Sequence, residues 1–132
     1  MDRDEELRQW FSHANNDLRL AEHGLSLHPS PDEPICCLSQ QAAEKFLKAF
    51  LFLNRLEPPK VHDLLLILEI CEKISPEFSG LSRKCFFLTK FAVVPRYPNE
   101  LQITHDDAKL AVKYAKGIKA FVEEIVPRGE RL

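Results

Sequence analysis

The sequence is poor in strand-forming residues and in segments that associate with membranes. It has 15 Val, Ile and Thr residues in total, against 19 Leu and 10 Ala. Leucine and alanine keep helical rotamers at little cost, whereas β-branched residues favour strands. No apolar run reaches the roughly 20 residues that a membrane-spanning helix needs, and the charged N-terminus lacks the apolar stretch of a secretory signal. These absences predict an all-α, cytoplasmic protein with no membrane partner.

The sequence also lacks the cysteine spacing of a metal site. None of its 4 cysteines forms a C-x-x-C pair, and all lie in apolar helical stretches: Cys36, Cys37, Cys71 and Cys85. Reduced thiols in a cytosolic core account for this placement better than zinc ligands do. We therefore expect no metal and no cofactor.

Proline is the residue that divides the chain. Its 9 copies leave the proline-free stretches 1–28, 35–57, 60–75, 77–94 and 99–126. Proline breaks helix interiors, and apolar residues recur in these stretches at helical steps of three and four. Ser30, Ser75 and Thr104 are placed to cap helix starts. A chain of 132 residues suits one domain. We predict a single domain over 1–132, an up-and-down bundle of four to five helices with its core at about 5–126.

The net charge of −2 conceals an uneven distribution. Residues 1–37 carry 3 Lys/Arg and 8 Asp/Glu, whereas residues 79–121 carry 8 and 3. The basic set is Arg83, Lys84, Lys90, Arg96, Lys109, Lys113, Lys116 and Lys119. Two interpretations stay open: a solvated helix face paired with the acidic first helix, or a surface that attracts phosphate.

His62 is the histidine most suited to chemistry. It follows the rigid Pro58-Pro59 turn and precedes a very apolar helix, and Arg55 lies seven positions before it. An imidazole exchanges protons near neutral pH, and a guanidinium binds phosphate through two hydrogen bonds. The pair could cleave RNA, whose own 2′-hydroxyl is the nucleophile. The alternative is a helix-entry histidine bonded to nearby backbone.

Two further segments carry polar groups in restricted positions. The prolines of Pro95-Arg96-Tyr97-Pro98 stiffen the backbone on both sides of Arg96 and Tyr97. That segment is either a structural corner or an anchor for an anionic ligand or a partner. In the run 40–45, small alanines lie beside Gln41, Glu44, Lys45 and, one turn on, Lys48. This run is either a dimer face or an ordinary packed helix edge.

Taken in order, these segments resemble the HEPN domain family. The resemblance rests on the opening Trp10-x3-Ala14-x2-Asp17, Gln40-Gln41-x2-Glu44-Lys45-x2-Lys48, Pro59-x2-His62-Asp63-Leu64, Arg96-Tyr97-Pro98 and a last helix with spaced alanines. It covers about residues 5–126.

The resemblance implies a homodimer of helical bundles, often the toxin-like partner of a minimal nucleotidyltransferase antitoxin. Active members are metal-independent ribonucleases with an Arg, four to six residues and a His, which Arg55 and His62 match at the longest spacing. Arg96 is the other basic candidate for the catalytic set, and Arg96, Tyr97, Lys45 and Lys48 are candidates for binding RNA or nucleotide. Leu64 stands where many toxins carry a tyrosine that the partner modifies. Other members of the family are non-catalytic and bind nucleotide, RNA or protein.

Overall fold

The computed structural model describes residues 2–92 and 102–126 and forms five α-helices there. They are α1 (Arg3–Gly24), α2 (Asp32–Leu53), α3 (Leu64–Ile74), α4 (Ser82–Thr89) and α5 (His105–Ile125). Short 3₁₀ segments at Pro76–Leu81 and Lys90–Ala92 flank α4. No strand occurs in these two ranges, so the predicted all-α fold of five helices is confirmed. No helix in them is long and apolar enough to cross a membrane.

Helices α1 and α2 form an antiparallel pair at the centre of the bundle. Arg3, in the first turn of α1, donates to the carbonyls of Phe52 and Leu53 at 2.6 and 2.9 Å. It thereby pairs with carbonyl groups at the end of α2, where the helical hydrogen bonds run out. At the other end of the pair, Gly24 lies against Ile35, and an added Cβ would come within 2.8 Å of the Ile35 side chain. Gly24 is therefore required for this close approach.

The chain between α2 and α3 returns along α2 instead of turning straight into an antiparallel helix. Arg55 begins this segment in the left-handed region, with φ 63°. The segment ends beside the middle of α2, where Gln40 Nε2 donates to the His62 carbonyl at 3.1 Å. Helix α3 then runs in the same general direction as α2, since Cys71 lies against the Leu47 carbonyl. This return brings His62 to the polar side of α2.

The predicted helix starts are confirmed at Thr104, confirmed in position but not in the capping hydrogen bond at Ser75, and wrong at Ser30. Thr104 and Asp107 form a reciprocal capping box at the start of α5. Ser30 does not cap α2, because Pro31 takes the cap position and no side chain bonds the first turn. Ser75 precedes a 3₁₀ segment that likewise has no side-chain cap. Asp63, which sequence analysis did not single out, caps α3 by accepting from Leu65 N at 2.9 Å.

The stretch predicted as a fourth continuous helix is divided into 3₁₀, α and 3₁₀ turns. Its apolar stripe is nevertheless buried throughout, at Phe78, Leu81, Cys85 and Leu88. Gly80 lowers the helix propensity of the first turns, and short 3₁₀ segments are common at helix ends. The pattern therefore predicted the buried face correctly but not the hydrogen bonding along it.

Aromatic rings and thiols fill the core between α2 and its neighbours. The Phe78 ring centroid lies 4.4 Å from that of Phe50 and 4.8 Å from that of Phe121. All four cysteines are free and buried, as the sequence predicts. Burial raises the pKa of the Cys36, Cys71 and Cys85 thiols to about 12. These thiols therefore stay protonated and act as core residues.

Candidate functional site

One side of α2 buries three polar side chains, each four residues from the next. Gln40, Glu44 and Lys48 are buried. Lys48 Nζ donates to Glu44 Oε2 at 3.0 Å, and Gln40 Nε2 donates to Glu44 Oε1 at 3.2 Å. The Glu44 and Lys48 side chains are only 10% and 7% exposed. Because a buried charge is tolerated only when it is paired and hydrogen-bonded, each charge here depends on the other.

His62 lies over this buried carboxylate with its ring in solvent. Its Nδ1 is 3.1 Å from both Glu44 oxygens, and its side chain is 74% exposed. A carboxylate can only accept, so the imidazole carries its hydrogen on Nδ1 and directs it at Glu44. The other nitrogen, Nε2, has no partner among the residues the structure describes and is left to exchange protons with a ligand.

This geometry is that of a positioned general acid–base group. A carboxylate that holds one imidazole nitrogen fixes the tautomer and stabilises the positive charge that the ring acquires on taking up a proton. The Gln40 amide adds a second restraint, because it bonds both Glu44 and the His62 backbone. We name Gln40, Glu44, Lys48 and His62 the polar site.

The backbone after His62 is also held firmly. Thr89, at the end of α4, accepts from Leu64 N at 3.1 Å, and its hydroxyl lies 3.4 Å from Asp63 Oδ1. Asp63 in turn caps α3. The backbone is therefore bonded to α2 at the His62 carbonyl and to α4 at the Leu64 amide.

Arg55 does not join His62 within one chain. His62 contacts Glu44, whereas Arg55 lies beyond Leu53, the last residue of α2. From Glu44 to Leu53 the helix advances about 13 Å. Arg55 instead lines a groove of about 210 Å³ that does not include His62, together with Arg3, Glu6, Phe52, Leu56, Glu57 and Pro58.

The two lysines predicted to bind RNA or nucleotide both form ion pairs within the chain. Lys45 is half-buried and pairs with Asp17 of α1, and Lys48 is buried against Glu44. Their role in binding RNA or nucleotide stays a prediction, and a ligand that reached Lys48 would compete with its ion pair. Arg96 and Tyr97 lie outside the described residues.

The lysines of α5 are partly accounted for by intramolecular pairing. Lys116 pairs with Glu22 of α1, and Lys109 with Asp106. His105 Nδ1 lies 2.8 Å from Asp32 Oδ1 at the start of α2. The first interpretation of the charge distribution, a basic face paired with the acidic first helix, therefore holds for part of the set. Within the described ranges, no group of three or more His, Cys, Asp or Glu side chains is arranged to hold a metal ion.

Glu44 and Gln40 were expected in a packed helix edge or a dimer face, and as part of the HEPN motif, but not as supports of His62. Ala42 and Ala43 beside them are fully buried, so this side of α2 is packed within the chain. The spacing of Gln40, Glu44 and Lys48 was the available signal that they share a face. It could not indicate which residue would lie over them.

The chain belongs to the HEPN domain family, since the family model matches residues 7–125. The resemblance is therefore confirmed. The fold is similar to the crystal structure of TT1696 from Thermus thermophilus, with a TM-score of 0.73 and 31% identity. It is also similar to ST0689, an archaeal HEPN homologue, with a TM-score of 0.70 and 25% identity. Each match covers 96% of this chain and 100% of the other. No curated protein shows significant similarity to this sequence.

Proposed function

We propose that this HEPN protein is a metal-independent endoribonuclease, and the toxin-like partner of a minimal nucleotidyltransferase, with its catalytic cleft shared by two copies of the chain. The observation that carries the proposal is the exposed His62 ring held on the buried Glu44 carboxylate, at 3.1 Å from both oxygens. An exposed imidazole held in one orientation is the arrangement that proton transfer to and from a substrate requires.

The reaction that this group can support is transphosphorylation of RNA. His62 Nε2 takes the proton from a 2′-hydroxyl, and that oxygen attacks the adjacent phosphorus. A 2′,3′-cyclic phosphate forms as the bond from phosphorus to the 5′-oxygen breaks. The leaving oxygen receives a proton from the protonated His62 of a second copy. Glu44 stabilises the imidazolium at each stage.

A second copy of the chain supplies a guanidinium that no described residue of one copy brings to His62. Arg55 lies beyond the end of α2, and in this scheme Arg55 or Arg96 of the other copy holds the phosphate. A bidentate arginine stabilises the charge that develops on the phosphate oxygens. Homodimer formation is therefore part of the proposal.

Cleavage of single-stranded RNA in the presence of EDTA tests this proposal. The wild-type protein is expected to produce fragments that end in cyclic phosphate. His62→Ala is expected to lower the rate at least about 100-fold, the scale of general acid–base catalysis. His13→Ala, at an exposed histidine on α1, serves as the control and should keep full activity. Unchanged cleavage by His62→Ala would refute the assignment.

Glu44 is a positioning residue in this scheme. Glu44→Gln keeps the size of the side chain but removes its charge, so the imidazolium loses its stabilisation. We expect kcat to fall with KM for RNA little changed, because the imidazole loses the group that orients it while the RNA-binding groups stay in place. A loss of activity that only follows the loss of folded protein, measured by urea unfolding, would indicate that Glu44 only supports the fold.

The second candidate function is a non-catalytic HEPN module that binds nucleotide or a nucleotidyltransferase. One observation favours it: no arginine of the described ranges contacts His62. In that case no cleavage appears, nucleotides raise the melting temperature, and the protein co-purifies with the nucleotidyltransferase. Expression of the pair and assay of RNA cleavage with and without the partner separates the two functions.

A further inference from the structure

The outer side of α4 carries aromatic rings and cations together. Arg83, Phe86 and Lys90 repeat at helical spacing on the exposed side of this segment. They surround a shallow cavity of about 390 Å³, whose lining also includes Phe87, Thr89 and Tyr114. We name these six residues the α4 face. None of the six is acidic.

The rings of Phe87 and Tyr114 pack against each other, whereas the Phe86 ring is exposed. Phe87 meets Phe91 and Tyr114 edge-to-face, with ring centroids 5.5 Å apart in each pair. Lys90 Nζ lies 4.6 Å from the Phe87 ring centroid. Phe86, by contrast, is 71% exposed and has no ring contact among the described residues. The Phe86 ring is therefore accessible to a ligand that has a π-face.

The cations of the α4 face differ from two of the lysines of α5. Among the residues described, neither Arg83 nor Lys90 forms an ion pair with a carboxylate, whereas Lys109 and Lys116 do. Arg83 and Lys90 therefore present positive charge beside an exposed ring. A nucleotide offers the complement of both features, with a π-face for the ring and a phosphate for the cations.

The α4 face adjoins the polar site. Thr89, one of its six residues, accepts the N–H of Leu64 at 3.1 Å. Leu64 is two residues from His62 along the chain. A strand of nucleic acid that passes over His62 can thus continue onto the α4 face without leaving the surface.

We propose that the α4 face is a subsite for an unpaired nucleotide of single-stranded RNA, with the base stacked on Phe86 and the adjoining phosphate held by Arg83 and Lys90. Stacking on a protruding ring requires a base that is free of its own partner, which excludes duplex RNA. The subsite rests on the proposed function for its place beside the reacting phosphate. Its binding is measurable without any cleavage.

The test is the affinity for a short fluorescein-labelled RNA in which every 2′-hydroxyl is methylated, so that it cannot be cleaved. Fluorescence anisotropy should show that Phe86→Ala weakens binding roughly 5- to 100-fold, the range for loss of one stacked base. Replacing Arg83 and Lys90 by Gln should lower the slope of log affinity against log salt by about 0.7, the value for the one phosphate that the two cations hold. Leu20→Ala, at a residue 59% exposed on α1, and Arg19→Gln are the matched controls.

Each outcome separates the subsite from the nuclease. Binding that depends on Phe86 in a protein that does not cleave RNA would support the subsite and refute the catalytic proposal. Cleavage with wild-type affinity in Phe86→Ala, or no binding of the probe by the wild-type protein, would overturn the subsite alone. Sedimentation equilibrium completes the test. If Phe86→Ala dissociates a dimer, the α4 face is an interface between two copies and the subsite is refuted.

Discussion

The polar site and the α4 face place charge in opposite ways. In the polar site, Glu44 and Lys48 are buried and paired, and only the His62 ring reaches solvent. On the α4 face, Arg83 and Lys90 are exposed, and the Phe86 ring stands beside them without a covering group. Both regions border the same turn, since Thr89 bonds the backbone that follows His62.

In the proposed function, the polar site transfers protons and the α4 face binds RNA, and these two tasks place different demands on the side chains. A group that transfers protons must be held in one orientation, and burial of its support achieves that through low mobility and strong electrostatics. A surface that binds a flexible chain can leave its groups free, because the ligand itself supplies the missing contacts. The same contrast predicts which substitutions affect stability and which affect only binding.

The largest effect on stability is expected from Glu44→Ala. The change leaves the Lys48 ammonium buried without its partner, which costs about 3–5 kcal/mol of unfolding free energy. Urea unfolding followed by circular dichroism measures this cost. Glu69→Ala, at an exposed residue of α3, should change the free energy of unfolding by less than about 0.5 kcal/mol. If Glu44→Ala lowers the free energy of unfolding as little as the control does, the Glu44–Lys48 pair does not stabilise the fold.

Two adjacent phenylalanines offer a sharper contrast within the α4 face. Phe87 packs against Phe91 and Tyr114, so Phe87→Ala should cost roughly 2–3 kcal/mol, somewhat less than truncation of a fully buried ring. Phe86→Ala should leave stability within about 0.5 kcal/mol of wild type. Thermal and urea unfolding of both variants measure the difference. Equal costs would mean that Phe86 is part of the packed core after all.

Thr89→Val tests the connection between the two regions. The substitution keeps the shape of the side chain but removes the acceptor for Leu64 N, at a cost of about 1 kcal/mol. Hydrogen exchange should show faster exchange of the Leu64 amide, whereas the amides at the centre of α5 should keep their protection. If the Leu64 amide keeps its protection, its slow exchange does not depend on the Thr89 hydroxyl, and the two regions are not coupled through Thr89.

The smallest effect is expected at Cys85, on the inner side of the helix that carries Phe86. Burial, with a smaller contribution from Glu72, raises the pKa of this thiol from 9.0 to about 12. Because the thiolate is the reactive form, iodoacetamide at about pH 8 should label native protein very slowly. A cysteine introduced by Ser79→Cys, at an exposed position, should react much faster than Cys85. Rapid labelling of Cys85 would indicate that α4 opens.

The same raised pKa values set the sign of the dependence of stability on alkaline pH. Unfolded thiols lose their protons near pH 9.0, and the buried ones only near pH 12. The unfolded state therefore binds fewer protons between these values, and the free energy of unfolding falls as pH rises through that range. Below about pH 9 the thiols add no pH dependence. Replacing Cys71 by Ala should reduce the alkaline slope.

Much of the fold followed from local signals, and the exceptions have local causes. Prolines and apolar periodicity predicted all five helices, because proline removes a helical hydrogen bond and periodicity records a buried face. The caps at Ser30 and Ser75 were wrong, since a neighbouring proline or a 3₁₀ turn changed the backbone that each serine meets. The apolar pattern of the fourth stretch likewise did not reveal that it is divided into 3₁₀, α and 3₁₀ segments.

The candidate site was predicted only in part. His62 beside a rigid turn was visible in the sequence, with Arg55 or Arg96 as the predicted phosphate-binding group, but the Glu44 carboxylate that holds the ring was not foreseen. The direction of the segment between α2 and α3 decides this, and it depends on a left-handed residue, Arg55, at φ 63°. The α4 face was missed because its cations were counted only in a basic stretch, and because Phe86 and Phe87 lie outside the apolar stripe of the fourth stretch.

The sequence by itself determined the helices, the buried faces, the thiols of the core and the HEPN family. These properties depend on residues near one another in the chain, or on motifs whose order is visible. Only the tertiary structure decided that the His62 ring rests on a carboxylate 18 residues away and that Thr89 joins its backbone to α4. The packing of the helices and the path of the connecting segment bring such pairs together. The free energy that holds that packing comes from contacts throughout the core, so no short stretch of sequence reveals it.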